Sequence, residues 1–401
     1  MYRACGRAIS GMMLTGLVFV CQIHAGPSPV LGQTPEWSFR KVVSIGSVDD
    51  PVYGLSAVRD VVMDADHVYV LLAEEGVVRV FTRAGEFVRD LGGRGQGPGE
   101  FLTPSSIGWH GSRLWVVDVG LRRFTLFDVA TGEAKTIRYA VDAPLASYFL
   151  SFVPRALLAN GDLVGEPTFS SMRFSSTTDA MRADTSHYPV LVSDTTGSRR
   201  DTLVVLSLTG GPGEIRAGLA RPSARVFLLH PLPDDDLIAY APDGSGAVVV
   251  RRGSWEGSGS AAFHVARISA LGDTLFRRRI GYEARPVPAG FFAEAISRTL
   301  DAPSVVDRRA HARAVRAFYE QRRYFPPVTT VRVASDGTTW LAGPDEKGER
   351  EWLVLDASGT SIGTVRLPTT ARISEANQTE MWVVEKDALD IPYVVRYEIL
   401  P

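Results

Sequence analysis

The reading of the chain turns on residues 56–91, SAVRDVVMDADHVYVLLAEEGVVRVFTRAGEFVRDL. An apolar run from Val58 to Met63 meets a polar turn, Asp64-Ala65-Asp66-His67, and Val68 to Leu72 forms a second apolar run. After a break at Glu74-Glu75-Gly76 come Val77 to Phe81, a turn at Ala84-Gly85, and a last run from Glu86 to Leu91. Four short β-branched and apolar runs, each bounded by turn formers, predict an antiparallel meander.

The same order returns along the chain, and repeats at this period are the signature of an array of like units. Second runs occur at Leu114–Asp118, Leu163–Gly165, Ala247–Val250, Thr339–Ala342 and Met381–Val384, preceded by turns such as His110-Gly111, Asn160-Gly161, Asp243-Gly244 and Asp336-Gly337. Third runs follow at Phe124–Phe127, Val190–Val192, Phe263–Ile268, Trp352–Leu355 and Tyr393–Tyr397. The count is six. The sixth unit lacks a fourth strand, since the sequence stops at Pro401, while a lone β-like run, Trp37 to Val43, precedes the first complete unit. Pairing that run with the last unit would remove the open sheet edges of the ring. The expected fold is therefore all-β: a six-bladed β-propeller over residues 35–401, its N-terminal strand closing the last blade.

Two stretches break the pattern. Residues 166–187 are rich in Ser and Thr and weakly apolar, which predicts a long loop inside blade 3. Residues 284–326 carry helix formers with apolar residues every third or fourth position, from Ala293 to Arg298 and from Val306 to Glu320. A helical insertion between blades 4 and 5 is expected there. It would emerge on the face where one blade hands over to the next. Its aromatics Phe291, Phe292, Phe318, Tyr319, Tyr324 and Phe325 would dock its helices or form a lid.

Net charge is −2 over 401 residues, which gives no reason to expect nucleic acid as a partner. Arg3 and Arg7 precede an apolar run from Ile9 to Val20, the order of a secretory signal peptide. Cleavage is expected after Ala25, or as late as residue 32, and the run is too short for a comfortable bilayer span. Lipidation at Cys21 is disfavoured because Val20 stands where a small residue is needed. The mature chain would then have neither cysteine nor membrane span and would be periplasmic or secreted.

Gly97-Pro98-Gly99-Glu100-Phe101, followed by Pro104, Ile107, Leu114 to Asp118, Arg123-Phe124 and Phe127-Asp128, resembles the NHL repeat, and Gly211 to Ile215 offers a second copy of its turn. The mature chain is similar to exported bacterial six-bladed propellers related to that family. The resemblance implies a choice between binding proteins and metal-dependent lyases or lactonases that use the central funnel.

Such an enzyme needs convergent His, Asp, Glu or Asn ligands. His67, His110, His187, His230, His264 and His311 are spread over turns, loops, a third strand and the insertion, so no shared metal is expected. No cofactor is expected either, and no spacing marks a Ca²⁺ loop. No G-x-S-x-G marks a serine nucleophile, and the Ser-rich run Gly253 to Ser260 reads as a loop. One positive remains. Arg59, Arg155, Arg332 and Arg372 each fall in a predicted first strand, the strand that lines the channel, where a planar guanidinium suits a carboxylate or phosphate. Their distances to the following turn differ, so they would not form a level ring. The competing expectation pairs them with carboxylates such as Asp60 or Glu100, and pairs Asp118 with Arg123. The reading that follows is a propeller binding a small molecule or protein through its insertion-bearing face; the alternative is the funnel enzyme.

Overall fold

The computed structural model describes residues 34–140, 150–169, 187–207, 213–220, 226–253, 257, 260–300 and 305–400. The signal peptide expected over 1–25 lies outside the described residues, as do positions 170–186 of the expected blade-3 loop and most of Gly253 to Ser260.

Six four-stranded antiparallel sheets form the blades of a propeller. From channel to rim, blade 1 consists of Val58–Met63, His67–Leu72, Val77–Thr82 and Phe87–Gly92. Blade 2 consists of Pro104–His110, Arg113–Asp118, Arg123–Asp128 and Ala134–Arg138. In blade 3 the strands are Leu150–Leu157, Leu163–Phe169, His187–Ser193 and Arg200–Ser207, so residues 166–169, expected in a loop, continue a strand. Blade 4 runs through Leu237–Tyr240, Gly246–Arg251, Ala262–Ser269 and Thr274–Gly281, and blade 5 through Thr330–Val333, Thr339–Ala342, Glu349–Leu355 and Ser361–Pro368. Blade 6 takes Arg372–Ala376, Glu380–Lys386 and Pro392–Leu400 from the end of the chain and Ser38–Ile45 from its beginning.

The two middle strands of a blade are covered on both faces by neighbouring blades. This is why Val68 to Leu72 reads as an unbroken apolar run and is buried throughout, whereas the rim strand Phe87–Gly92 is mostly exposed. Each apolar cluster of the blades accordingly spans an interface between neighbours. Tyr69, Leu71, Val78 and Val80 of blade 1 pack on Ile107, Leu114, Val116 and Phe127 of blade 2. Trp340 and Trp352 of blade 5 pack against Ile373, Met381 and Val383 of blade 6.

The closing strand is held by its backbone and by two aromatic side chains. Ser38 to Ile45 pairs antiparallel with Leu400 to Val394. Phe39 meets Tyr397 edge to face at 5.2 Å, and Trp37, 7 % exposed, sits edge-on to Trp340 over Gly363. Arg83 of blade 1 and Arg396 of blade 6 converge on the buried Glu380 carboxylate, the Arg396 contact being 2.6 Å.

The GPGE turn after blade 1 is built differently from the expected ion pair. Asp118 and Arg123 are cross-strand neighbours but do not bond to each other. The fully buried Asp118 carboxylate accepts from the backbone N–H groups of Leu102, Thr103 and Leu121. Arg123 donates to the carbonyls of Gln96, Gly97 and Glu100. Glu100 caps the Gly97 amide at 2.7 Å rather than partnering an arginine. The second GPGE copy does not open a blade: Gly213–Ile215 forms a small hairpin with Val226–Leu228.

That hairpin packs on the insertion, whose two helices are α1 (Ala293–Leu300) and α2 (Arg308–Glu320). Ile215 and Leu228 share one apolar cluster with Phe292, Ile296, Val315 and Tyr319. Asp307 caps α2 by accepting from the Arg309 and Ala310 amides. The unit is tied down by the ion pair of Arg322 with buried Asp234 and by His230, whose Nε2 lies 2.9 Å from the Tyr319 carbonyl.

Candidate functional site

In blades 1, 2, 3 and 6 the inner strand carries a one-residue irregularity in its register with the second strand, at Arg59, Ser105, Arg155 and Ser374. The inner strands of blades 4 and 5 pair without one. A bulge re-aims the residues around it, and it shifts the count from strand start to turn by one. The four arginines therefore stand at different heights although all lie in inner strands.

The inner strands enclose a cavity of about 210 Å³ bordered by Asp60, Arg155, Tyr240, Arg332, Ser374 and Glu375. At the face of the first turns the channel narrows, because the Trp109 amide of blade 2 donates to the Pro242 carbonyl of blade 4 at 2.6 Å. Gly108 permits this approach: a Cβ there would lie 2.7 Å from the Pro242 oxygen and 2.4 Å from the Trp115 ring.

The structure divides the four arginines. Arg155 is neutralised by Glu166 at 3.3 Å, and Glu166 also accepts from the Tyr240 hydroxyl at 3.0 Å. Arg372 is the centre of a second group, interacting with the Asp60 carboxylate and with the positive charges of Arg332 and Arg59. Arg372 lies 4.0 Å from the Asp60 carboxylate and donates to the Val58 carbonyl at 2.9 Å. Burial, together with the positive charges of Arg332 and Arg59 and against the pull of Asp60, holds the Arg372 pKa below the ordinary arginine value. A guanidinium remains charged even so. Arg59 reaches the Ser105 carbonyl of the next blade at 3.2 Å. Arg332 has no hydrogen bond or ion pair among the described residues, and its Nε is buried without a partner. Arg372 also borders a surface groove of about 490 Å³ shared by blades 1 and 6, with Lys386 and Asp390 on its rim.

Deeper in the channel lies a carboxyl group that the sequence reading passed over. Glu375 is 4 % exposed, and its Oε1 accepts from the Ser335 amide at 3.0 Å. Burial, with some help from Asp60, pushes its pKa up to about 8, against the opposing hydrogen bond. At neutral pH this group is therefore mostly uncharged, leaving Asp60 as the carboxylate beside Arg372. The hydroxyls of Ser106 and Ser374, both bordering the cavity, are buried without partners. No signal in the pattern Ile373-Ser374-Glu375 marks the glutamate as inward-facing, since its direction depends on the bulge at Ser374.

The histidines do not converge. His67 starts a second strand, His110 ends an inner strand, His187 starts a third strand and His264 is exposed on another. His230 and His311 are buried in the helical unit, where His311 Nδ1 contacts the Ala217 carbonyl at 3.0 Å. Among the described residues, no three His, Cys, Asp or Glu side chains stand together as metal ligands do. Also among these residues, no helix is long and apolar enough to cross a membrane.

Residues 53–155 match the DUF5128 family model, described as a 6-bladed beta-propeller. No curated protein matches the chain. Among solved structures, the chain is similar to a member of the DUF4221 family from Bacteroides vulgatus (TM-score 0.48, 10% identity, 92% of this chain and 99% of that one). A Bacteroides fragilis protein thought to be exported gives a TM-score of 0.44 at 11% identity, covering 91% of this chain and 94% of the other. A gluconolactonase from Xanthomonas campestris gives 0.37 at 15% identity, covering 84% and 82%.

Proposed function

We propose that this protein is an extracytoplasmic binding protein whose propeller takes a small anionic ligand, a carboxylate or phosphate ester, at the arginine-bearing end of its central channel. The carrying observation is the Arg332 guanidinium, which has no partner among the described residues while standing near Arg372, itself also near Arg59. A buried donor without an acceptor costs about 1–3 kcal/mol, and an anion there would relieve that cost and the repulsion among three cations. The neutral Glu375 carboxyl adds no opposing charge and offers a proton to a ligand hydroxyl. The inner strands begin at the blade-handover face, so a ligand would enter from the side that carries the insertion. Location outside the cytoplasm rests on the charged and apolar order of residues 3–20.

Thermal shift and calorimetric titration with citrate, malate, inorganic phosphate and acetate test this reading. A ligand at about 100 times its Kd should stabilise the fold by about 2.7 kcal/mol. Arg332→Gln should abolish the shift without lowering the ligand-free melting temperature, since Arg332 makes no bond there to lose and its removal relieves an unpaired buried donor. Retention of full binding in that variant, or no response to any of the four anions, would overturn the proposal.

A further inference from the structure

The insertion carries a second basic surface, separate from the channel, whose charges have no partner among the described residues. Arg309, Arg313 and Arg316 stand four and three residues apart on α2 and so share one face of it. All three are exposed, as are Arg308 and Arg323. None of the five has an ion pair or side-chain hydrogen bond among the described residues. The whole chain carries a net charge of only −2, so this concentration does not follow from a basic composition. The placement works against the helix itself. The first turn of α2 contains no acidic residue and begins with Arg308 and Arg309, where the helix dipole favours negative charge.

Beside this stripe a groove of about 650 Å³ runs between α1 and the end of α2. Phe292, Ile296 and Leu300 supply apolar lining, and Arg316, Arg323 and a single carboxylate, Glu320, stand at its edge. Phe292 and Ile296 are 6 % and 8 % exposed because they pack in the apolar cluster of the insertion, so the groove's floor is the edge of that core. A planar lipid surface does not reach such a floor; a protruding side chain does.

We infer that this groove docks an acidic segment of a partner protein, which lays its carboxylates along Arg309, Arg313 and Arg316 and inserts one bulky apolar side chain between α1 and α2. The inference is independent of the anion site in the channel. Its elements are those of peptide recognition generally: an apolar anchor for affinity and complementary charge for orientation and rate.

The test is fluorescence anisotropy of the full chain with a short fluorescein-labelled peptide rich in Asp and Glu around one central Phe. A control peptide carries Lys at each acidic position. The acidic peptide should bind, weaken with added salt, and lose about tenfold in affinity to R309E/R313E/R316E, as expected for three partly exposed ion pairs. These side chains are exposed, and a negative charge at position 309 suits the start of α2, so the triple variant should melt no lower than the parent does. Ser297→Trp, at an exposed residue lining the groove, should also block binding, whereas Arg332→Gln in the channel should leave it unchanged. Failure of the acidic peptide to bind, equal binding of the Lys peptide, or an unaffected triple variant would overturn the inference. So would binding to phosphatidylglycerol vesicles in the absence of peptide binding, which would assign the basic stripe to a membrane surface.

Discussion

Glu375→Gln isolates the energetic consequence of placing a carboxyl group at the inner end of the channel. In the folded chain Glu375 holds its proton to about pH 8, against an ordinary value of 4.5. Between those values the folded state binds a proton that the unfolded state releases, so stability falls as pH rises through the window and levels off above about pH 8. One pKa unit corresponds to about 1.36 kcal/mol, so raising the pH from about 5 to about 8 costs at most about 4 kcal/mol. Water entering the 210 Å³ cavity would reduce this, and about 2 kcal/mol is a reasonable expectation. Glutamine has the shape of the protonated acid and retains an acceptor for the Ser335 amide. The variant should match the parent near pH 5 and exceed it by about 2–4 kcal/mol near pH 8. Urea unfolding at a series of pH values, fitted for both proteins, reads the difference directly and cancels the other titrating groups. Parallel pH profiles would refute the reasoning and show that Glu375 is ionised at neutral pH.

Two further predictions concern ring closure. Glu380→Gln leaves Arg83 and Arg396 without their shared carboxylate at the joint between blades 6 and 1, and should destabilise by about 3–5 kcal/mol in chemical denaturation. Trp37→Ala removes a buried ring from between Trp340 and Gly363; a loss of about 3–5 kcal/mol in unfolding free energy is expected. An unchanged denaturation midpoint for this variant would mean that the strand from Ser38 to Ile45 does not hold the ring shut.

The blades were legible because their cause is local. A strand covered on both faces must be apolar along its whole length, and the reversals between strands need turn residues, so Val68 to Leu72 and Asp64 to His67 announce themselves. Closure was legible for a related reason: an unmatched strand at one end and a unit one strand short at the other have a shared solution in Trp37 to Val43. The departures arose where one local pattern serves two structures. The second GPGE run resembled a blade turn, but Ile215 is buried against the helices of the insertion, an apolar surface that the motif itself does not specify. Asp118 and Arg123 looked like a pair because they are of opposite charge and cross-strand, yet nearby backbone amides and carbonyls take both side chains.

The channel shows the same division more sharply. By itself the sequence determined that Arg59, Arg155, Arg332 and Arg372 lie in inner strands, because strand order along a meander is a property of the chain. Only the tertiary structure decided which of them act together. The bulges at Arg59, Arg155 and Ser374 set the aim of Arg59, Arg155 and Glu375, Glu166 withdraws Arg155 from the group, and burial keeps Glu375 uncharged. Those outcomes depend on distances between residues from different blades and on the exclusion of water, neither of which a linear pattern encodes.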